Sequence, residues 1–413
     1  MRDPASLLAG TLDLPEAAHR GWDILVVGAG PSGALAAREA ARGGASVLLV
    51  DKACFPRPKV CGCCLNPAAL AALESVGLKD LPGQLGARPL KEFRLAAGGR
   101  VARIPLPAGA ALSREALDGA LVEEAIRTGV SFLPEATASL DELEENCRRL
   151  LLSHGGKQLS VKARVVLAAD GLGGRLLEAQ PYLRNQTAPF SRIGVGAVAD
   201  TAPDFYQPGV ISMACGKGGY VGLVRLEDMR LDIAAALDPP FVREASGPHE
   251  AVRRILRQAG LPEIKGLEEL RWRGTPPLTR SRSRLVAERL LVIGDAATFI
   301  EPFTGEGIAW AFASAKAAAP LALELARAWN PPLADQWTQI HRQMIGRRQH
   351  ACRLISRLLK HPTLANVAVR ILSQAPSLSA PVIRAISAPF VCGKEAISPR
   401  RSSRVVDCRM ESS

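Results

Sequence analysis

The stretch DILVVGAGPSGALAAREAARGGASVLLVDK, residues 23–52, decides the fold class. Its apolar start suits a buried parallel strand, and Gly28, Gly30 and Gly33, in G-x-G-x-x-G register, lead into a helix of small and apolar residues. Such glycines permit a sharp turn, let a pyrophosphate approach the backbone and allow the helix to pack closely on the strand. Strand, glycine turn, helix and second strand follow in the required order. The stretch therefore predicts a βαβ unit that binds a dinucleotide.

Polar residues around this unit are candidates for holding the dinucleotide. Asp51 ends the second strand, where a carboxylate can accept hydrogen bonds from ribose hydroxyls, and Lys52 follows it. Ser32 stands at the helix start, where backbone amides and the helix dipole favour phosphate. Arg57 and Lys59 lie just beyond, in a proline-broken loop. We expect these two cations to reach the cofactor phosphates.

The composition limits the class of protein. With 47% hydrophobic and 22% charged residues the 413-residue chain is globular, and no uncharged apolar run reaches the roughly 20 residues of a membrane span. The net charge of +12 suits anionic partners, but aromatic residues make up only 4% and no stacking motif accompanies the arginines, which disfavours nucleic acid. An odd number of cysteines, 9, favours a reducing compartment. The first twenty residues lack the apolar core of a secretory signal, so we expect a loose leader and a cytoplasmic protein.

The loop after the βαβ unit carries three cysteines, Cys61, Cys63 and Cys64. C-x-C-C has no second ligand pair nearby at zinc or iron–sulfur spacing, so we expect no metal site. Cys61 and Gly62 together offer a thiol beside exposed backbone. The alternative is a basic, solvated loop with small buried cysteines.

A helix that Ser113 caps and Gly129 ends begins with Arg114. A cation in the first turn opposes the helix dipole, so an anionic neighbour such as a cofactor phosphate is expected. The alternative is a solvent-exposed arginine.

Two further strand ends carry glycine and aspartate. Residues 163–171, ARVVLAADG, deliver Asp170 and Gly171 at the edge of the sheet where cofactors bind in α/β folds. Residues 289–307, RLLVIGDAATFIEPFTGEG, place Gly294 and Asp295 after a buried strand and then open a long helix through a glycine-proline loop. The start of this helix points a second set of amides at the same site. A plain strand–loop–helix crossover is the alternative.

The motifs GAGPSG, CFPRPKVCG, AADG and GDAATFIEPFTGEG occur in this order, and over about residues 22–325 the chain resembles the FAD-dependent oxidoreductases of the aromatic hydroxylase and geranylgeranyl reductase superfamily. The resemblance implies FAD, with the ADP part on the glycine motif, Asp170 near the pyrophosphate and Asp295 at the ribityl chain. The loop of residues 56–62 looks like that of the geranylgeranyl reductase branch and places Cys61, the predicted catalytic residue, near the flavin. The predicted cofactor-binding residues are Gly28, Gly30, Ser32, Gly33, Asp51, Lys52, Arg57, Cys61, Gly62, Arg114, Asp170, Gly171, Gly294, Asp295, Pro302, Gly305, Glu306 and Gly307.

The predicted fold class is α/β, a Rossmann-like FAD-binding domain with an inserted β-rich substrate lobe and a C-terminal helical segment. Hairpins are expected within residues 88–106 and 218–237. The predicted boundaries are a leader at 1–20, the FAD-binding domain at 21–87, 111–180 and 286–330, the substrate lobe at 88–110 and 181–285, and a basic helical region and tail at 331–413.

The predicted activity is hydride transfer to or from a C=C bond of a lipophilic isoprenoid or polyketide-like substrate. The alternatives are an NAD(P)H-dependent monooxygenase that hydroxylates an aromatic or quinone-like ring, and a flavin-binding protein with a structural or sensor role. The β lobe keeps Tyr220 but lacks the remainder of the Y-x-W-x-F-P motif of archaeal geranylgeranyl reductases. With no second G-x-G-x-x-G, NAD(P)H is expected to bind transiently, or electrons arrive from another carrier.

The C-terminal part carries one-sided charge. Residues 336–394 contain no Asp or Glu and many arginines. At helical spacing, residues 351–360 separate an apolar arc from a basic one, the former made by Leu354, Ile355, Leu358 and Leu359 and the latter by Arg353, Arg357 and Lys360. This pattern predicts weak peripheral contact with anionic membranes. The alternative is that the apolar arc faces the core.

Overall fold

The computed structural model describes residues 7–301, 303, 305–388 and 390, and for Arg347 the backbone alone. The α-helices of this part are α1 (Leu14–His19), α2 (Pro31–Arg42), α3 (Pro67–Glu74), α4 (Leu81–Gln84), α5 (Arg114–Arg127), α6 (Pro239–Glu244), α7 (Pro248–Ala259), α8 (Gly307–Arg327), α9 (Pro331–Leu358), α10 (Pro362–Gln374) and α11 (Ala380–Ser387). Short 3-10 helices cover Pro181–Leu183, Gly294–Ala296 and Pro376–Ser379.

The strands supply a large mixed sheet, a second large sheet and two small ones. The strands are β1 (Gly21–Val27), β2 (Val47–Val50), β3 (Cys64–Leu65), β4 (Arg88–Pro89), β5 (Glu92–Ala97), β6 (Arg100–Pro105), β7 (Ala110–Ala111), β8 (Ser131–Leu133), β9 (Thr137–Leu143), β10 (Arg148–His154), β11 (Lys157–Ala168), β12 (Gln186–Thr187), β13 (Ile193–Ala199), β14 (Val210–Gly216), β15 (Gly219–Arg225), β16 (Leu231–Leu237), β17 (Arg273–Pro277), β18 (Arg280–Ser281), β19 (Val286–Ala287), β20 (Leu290–Val292) and β21 (Thr298–Phe299).

The first large sheet has the strand order β19-β20-β11-β1-β2-β8, with β10 and β9 continuing from β11. Its inner strands β20, β11, β1, β2 and β8 pair in parallel, and α2 packs against α5 and α8. The strands β1 and β2 are buried along almost their whole length, as expected of parallel strands covered by helices. This arrangement confirms the predicted Rossmann-like α/β fold.

Glycines make the turn from β1 to α2 possible. Gly28 has a φ of +103°, and a Cβ there would lie 2.3 Å from the carbonyl oxygen of Ala169. A Cβ on Gly33 would lie 1.8 Å from the carbonyl oxygen of Gly28. The first glycine therefore provides the turn and the second lets the helix pack against it.

The second large sheet has the strand order β17-β13-β16-β15-β14-β5-β6 and is antiparallel except between β14 and β5. Both predicted hairpins, β5–β6 and β15–β16, are present. Helix α7 packs against β14, and α10 packs against β5 and β6. The small sheets have the orders β12-β18-β21 and β3-β7-β4.

The expectation of a loose leader is wrong for residues 7–20. Asp13 and Glu16 form a reciprocal capping box at the start of α1. Leu14 and Ala17 are buried in the main core, and the Trp22 indole nitrogen donates to the carbonyl of Ala17 at 3.0 Å. The charged residues of this segment, which led to the expectation of a loose leader, lie on its outer side. Its few apolar residues pack against the sheet.

Helix α8 is, among the described helices, the one long and apolar enough to cross a membrane by length and composition, and 78% of its most apolar stretch is buried in the protein. It packs against α2, α3, α9, β1 and β11. Its apolar character is therefore accounted for by packing inside the fold.

Candidate active site

A cavity of about 1060 Å³ is lined by residues from both large sheets and from the C-terminal helices. The lining divides by chemistry. One half contains glycines and charged or polar residues, and we call it the cofactor half because the sequence predicts that it holds the cofactor. Its residues are Gly28, Gly30, Ser32, Asp51, Lys52, Arg57, Lys59, Cys61, Gly62, Arg114, Asp170, Gly171, Asp295, Gly305 and Gly307. The apolar half contains Leu90, Phe93, Leu95, Ile104, Ile211, Met213, Tyr220, Leu278, Phe299, Phe303, Ile355 and Leu359, and continues to residues of α10 and α11.

The start of α2 is a site for an anionic group. Gly30 is its N-cap, and a Cβ there would meet only the guanidinium Nη2 atoms of Arg57, at 3.7 Å, and Arg114, at 3.8 Å. The Oγ of Ser32 is buried and makes no hydrogen bond within the described residues. Open space, free helix amides, a hydroxyl and two guanidinium groups together fit the pyrophosphate of a dinucleotide.

The two arginines are held by a carboxylate that the sequence prediction missed. Arg114 donates from Nε and Nη2 to the two oxygens of Asp118, at 2.7 and 2.8 Å. Arg57 lies 3.5 Å from Asp118 and 3.6 Å from Asp51. The Asp118 side chain is fully buried and the Arg114 side chain is 11% exposed, so the alternative of a solvent-exposed Arg114 is wrong. The i, i+4 spacing of Arg114 and Asp118 on one helix was the available signal.

Asp51 directly follows β2, and its carboxylate accepts hydrogen bonds from the backbone beside the glycine turn. Its Oδ2 accepts from the amide of Ala29 at 2.7 Å and its Oδ1 from the amide of Ala53 at 2.9 Å. Charge-assisted bonds of this kind fix the loop against the strand end. The cofactor half is therefore organised around Asp51 as well as around the glycines.

Asp170 and Asp295 follow β11 and β20. Asp170 accepts from the amide of Leu176 at 3.0 Å, and burial raises its pKa. Burial raises the pKa of Asp295 to about 6, while the charges of Arg114 and Lys59 act in the opposite direction. Lys59 itself has a lowered pKa, first because of burial and then because of Arg57 and Arg114. The positive charges of Lys59, Arg57 and Arg114 thus lie together in this half of the cavity.

Some predicted residues lie behind the cavity wall. Gly33 packs on Gly28, and a Cβ on Gly294 would lie 2.7 Å from the Cβ of Ser32, so both glycines shape the site from outside the lining. The Glu306 carboxylate departs from the prediction, because it accepts from Arg348 at 2.9 Å and from the Cys352 thiol at 3.2 Å, on the side of α9. The predicted residue Pro302 lies outside the described residues.

The cysteine loop is fixed by the small sheet β3-β7-β4. The amide of Leu112 donates to the carbonyl of Cys63 at 2.9 Å, and the amide of Cys63 donates to the Cys61 sulfur at 3.4 Å. A hydrogen bond from the Cys63 thiol lowers the pKa of Cys61 to about 6; burial opposes this shift and the charge of Arg114 adds to it. The described residues contain no group of three or more His, Cys, Asp or Glu arranged to hold a metal ion.

A second buried carboxyl group that the prediction missed, Asp232, stands on β16 and is 5% exposed. It lies within hydrogen-bonding reach of Cys63, and burial raises its pKa well above the ordinary value. Its signal in the sequence was an acidic residue inside the apolar strand LDIAAAL. Its partner, however, comes from a loop far away in the chain, and no local pattern indicates that contact.

Aromatic rings and aliphatic side chains form the apolar half. Phe303 makes edge contacts with Phe93 and Tyr220, at centroid distances of 6.2 and 5.1 Å. At its outer end stand exposed apolar residues of α9, α10, α11 and the 3-10 helix Pro376–Ser379. We call them the apolar rim: Leu358, Leu364, Val367, Ile371, Leu378 and Val382. The apolar half therefore opens at an apolar surface.

Comparison with known proteins identifies the family of the chain. Residues 22–339 match the family model described as FAD binding domain, and the chain belongs to that family. A menaquinone reductase of Mycobacterium tuberculosis is 28% identical over 402 residues, covering 85% of this chain and 90% of that protein. Digeranylgeranylglycerophospholipid reductase 1 of Methanothermobacter thermautotrophicus is 28% identical over 303 residues, covering 69% and 73%.

Solved structures share the fold. A geranylgeranyl bacteriochlorophyll reductase-like protein of Thermoplasma acidophilum superposes with a TM-score of 0.71 at 20% identity, over 89% of this chain and 96% of that one. The flavin-dependent brominase Bmp2 superposes with a TM-score of 0.73 at 19% identity, over 90% and 95%. The chain is an FAD-dependent oxidoreductase, as its sequence predicts.

Proposed function

We propose that this FAD-dependent oxidoreductase reduces a C=C bond of an isoprenoid or polyketide-like lipid by hydride transfer. The observation that carries the proposal is the cavity, in which a half suited to a dinucleotide continues into an apolar half that opens at an apolar surface. The described lining residues that come from the second large sheet and from α9, α10 and α11 include no charged residue. A long hydrocarbon substrate can therefore lie in it without burying an unpaired charge.

The relatives support a lipid substrate and a reductive direction. The two reductases described above are named for a digeranylgeranyl phospholipid and for menaquinone. Both names describe reduction of a lipophilic molecule. A reductase for such a molecule needs an apolar cavity next to its cofactor, and this chain provides one.

The cofactor half fits FAD residue by residue. We infer that the α2 amides, Ser32, Arg57 and Arg114 hold the pyrophosphate, because these groups converge on the open space beside Gly30. Asp295 lines this half of the cavity and is suited to bond the ribityl hydroxyls. The predicted roles of Asp51, Lys52, Asp170, Gly171, Gly305 and Gly307 remain part of the proposal, since all of them line the same cavity.

When bound and reduced, FAD supplies the hydride. The protein must supply a proton, hold the alkene of the substrate in place and keep water out of the cavity. The apolar half excludes water and aligns the alkene. Cys61 lies on the cavity wall near Arg114 and is the proposed proton donor to the alkene carbon. Its pKa of about 6 means that the sulfur is largely deprotonated at neutral pH, so a proton must be returned to it before it can donate.

A direct test uses the reduced holoenzyme without oxygen. Incubated with a geranylgeranyl lipid, it should give a product heavier by one H₂ for each double bond reduced, with FAD reoxidised in equal amount. Unchanged lipid combined with oxygen incorporation into an added aromatic or quinone-like substrate in air would support the hydroxylase alternative instead. Measuring whether NADPH or NADH reduces the FAD in the same cuvette tests the proposed transient donor.

Cys61→Ser tests the proposed catalytic residue. We expect turnover to fall by a factor of about 10² or more while FAD content stays at the wild-type level, since general acid catalysis contributes factors of this size. Cys64→Ser is the matched control. It should have much less effect, because the Cys64 thiol donates to the carbonyl of Gly62 at 2.9 Å and lies on the β3 strand.

We further propose that the apolar rim rests on an anionic lipid surface. Leu364, Val367 and Ile371 form one stripe along α10 and are 46%, 54% and 47% exposed. Arg370 and Arg384 are exposed beside them, and the sequence of this region contains no acid. Arg348 is not available for lipid, because it pairs with Glu306. Of the predicted amphipathic arc, Leu354 and Leu358 are exposed whereas Ile355 and Leu359 pack inward.

A further inference from the structure

Asp232 is a buried acid in an otherwise apolar strand. Its cross-strand partners, which share its face of the sheet, are the apolar residues Val198 and Val224, and Asp232 is 5% exposed. Its Oδ2 is buried and makes no hydrogen bond within the described residues. A carboxylate would be costly in such surroundings, whereas an un-ionised carboxyl group can remain there.

Cys63 connects Asp232 with Cys61. Cys61 and Cys63 pack in one cluster with Val198 and Val224, the cross-strand partners of Asp232. The amide of Cys63 donates to the Cys61 sulfur at 3.4 Å, and the Cys63 thiol lies within hydrogen-bonding reach of the Asp232 carboxyl. Cys63 is 3% exposed, and the bond from the Leu112 amide to its carbonyl fixes its position. A continuous line of exchangeable protons therefore runs from the strand to the cavity wall.

The charges around the two ends of this line differ. Burial is the main cause that raises the pKa of Asp232; Cys61 and Glu227, which are negative when ionised, raise it further, and the hydrogen bond with Cys63 lowers it. Glu227 is itself held by the amide and hydroxyl of Ser113. Cys61, by contrast, is influenced by the cation of Arg114. The proton consequently resides on the Asp232 side and negative charge on the Cys61 side.

We propose that Asp232 is the proton reservoir for Cys61, with Cys63 as the relay between them. The Cys63 thiol proton passes to the Cys61 thiolate, and the Asp232 carboxyl proton passes to Cys63. Cys61 then gives its proton to the substrate carbon that receives no hydride. Cys61 ends as the thiolate, Cys63 as the thiol and Asp232 as the carboxylate, which takes a proton from water after the product leaves. The inference rests on the proposed function, because it supplies the proton that alkene reduction requires.

The first experiment measures the protonation state of Asp232 in the absence of turnover. In the purified holoenzyme, infrared spectroscopy should show the carbonyl stretch of an un-ionised carboxylic acid at neutral pH, and Asp232→Asn should remove that band. Alkylation of Cys61 by iodoacetamide, followed peptide by peptide across pH, should keep its midpoint in Asp232→Asn because no charge is removed. If Asp232 were ionised, the band would be missing and the midpoint would fall, which would overturn the proposal.

The second experiment reads the relay during turnover. Asp232→Asn should lower kcat by roughly tenfold or more at unchanged KM and FAD content, and should increase the solvent deuterium isotope effect. Asp232→Glu should recover part of the rate. Cys63→Ala should lower kcat as much as Asp232→Asn does. Cys63→Ser should lower kcat much less, because the serine hydroxyl can also relay a proton. The double variant Cys63→Ala/Asp232→Asn should have a kcat no lower than that of either single variant.

Asp228→Asn is the matched control, since Asp228 is exposed in the β15–β16 turn and pairs with Arg230. A wild-type rate in Asp232→Asn would refute the relay even where the reductase activity is established. If wild type reduces no alkene but the infrared band and the unchanged midpoint are observed, the reservoir stands and the proposed substrate fails.

Discussion

The two halves of the cavity are built in different ways. The cofactor half comes from short stretches at the ends of β1, β2, β11 and β20, where backbone and glycine set the shape. The apolar half comes from the second sheet and from α9–α11, where side-chain volume sets the shape. A single added Cβ can close the first half, whereas the second half changes gradually with each substitution. The contrast predicts large effects from small changes on the cofactor side and graded effects at the rim.

The largest expected effect is at Gly30. Gly30→Val should abolish FAD binding, because the new side chain fills the space bordered by Arg57 and Arg114. A Cβ at this position meets no backbone atom within 4 Å, so the protein should still fold. Flavin absorbance per protein after purification in added FAD is the measurement.

The control for this substitution is Gly274→Val, on β17, where a Cβ would meet nothing within 4 Å and a β-branched residue suits a strand. It should keep stoichiometric FAD. Full flavin content in Gly30→Val would show that the pyrophosphate lies elsewhere and would remove the contrast between the two halves.

The next effect is at Asp118. Asp118→Asn should lower the free energy of unfolding of the FAD-free protein by roughly 3 kcal/mol, because it leaves the buried guanidinium groups without their shared carboxylate. FAD should restore most of this loss, since its phosphates supply negative charge at the same place. Urea unfolding with and without FAD measures both quantities.

Glu123→Gln, on the same helix, removes a partly exposed partner of the exposed Arg127 and should change stability by about 0.5 kcal/mol or less. An equal loss in Asp118→Asn with and without FAD would mean that the arginines do not face the phosphates.

The sequence could predict the cofactor half because each of its segments is contiguous. The glycine turn, Asp51, Asp170 and Asp295 all follow strands within a few residues, and local patterns locate strand ends. Asp118 and Asp232 were missed because their meaning depends on partners brought close by the tertiary fold. Glu306 was predicted as a cofactor-binding residue, and no local pattern indicated that its carboxylate pairs with Arg348 of α9.

The apolar half, too, could be predicted from the sequence only in part. Strand alternation predicted the hairpins of the second sheet, but no local pattern indicates that residues of α10 stand beside the same cavity as Phe93 and Tyr220. Apolar periodicity says that a helix has an apolar face and leaves open what this face contacts. Here one part of it packs on β5 and β6 and the other part remains exposed.

A smaller effect is expected from Asp295 and depends on pH. Because its pKa is raised from 3.8 to about 6 in the folded protein, the unfolded chain loses this proton first as the pH rises. The resulting loss of stability develops between about pH 4 and 6 and is complete above that window. Asp295→Asn should therefore make the FAD-free protein more stable at pH 7, by roughly 1 to 3 kcal/mol, and leave it unchanged near pH 3.

Urea unfolding of both proteins at pH 3 and 7 gives this difference, and Asp204→Asn, at an exposed position, should show none. A variant that is less stable than wild type at pH 7 would mean that the carboxylate is held by contacts stronger than its burial cost.

The smallest effect is expected at the apolar rim, where binding to lipid is a sum of weak terms. Flotation with vesicles of phosphatidylglycerol and phosphatidylcholine should recover the protein at low salt and progressively less as salt rises. Arg370→Gln and Arg384→Gln should each weaken binding by about fivefold, since a basic residue near an anionic surface contributes ~1 kcal/mol. The triple variant Leu364→Ser/Val367→Ser/Ile371→Ser should weaken binding to the vesicles at all salt concentrations, because the burial of apolar area does not depend on charge. Leu143→Ser/Tyr182→Ser, which removes exposed apolar side chains that do not line the cavity, should bind like wild type. Equal losses from the rim and control variants would indicate nonspecific adsorption, and the apolar half would then have to receive its lipid from solution or from another protein.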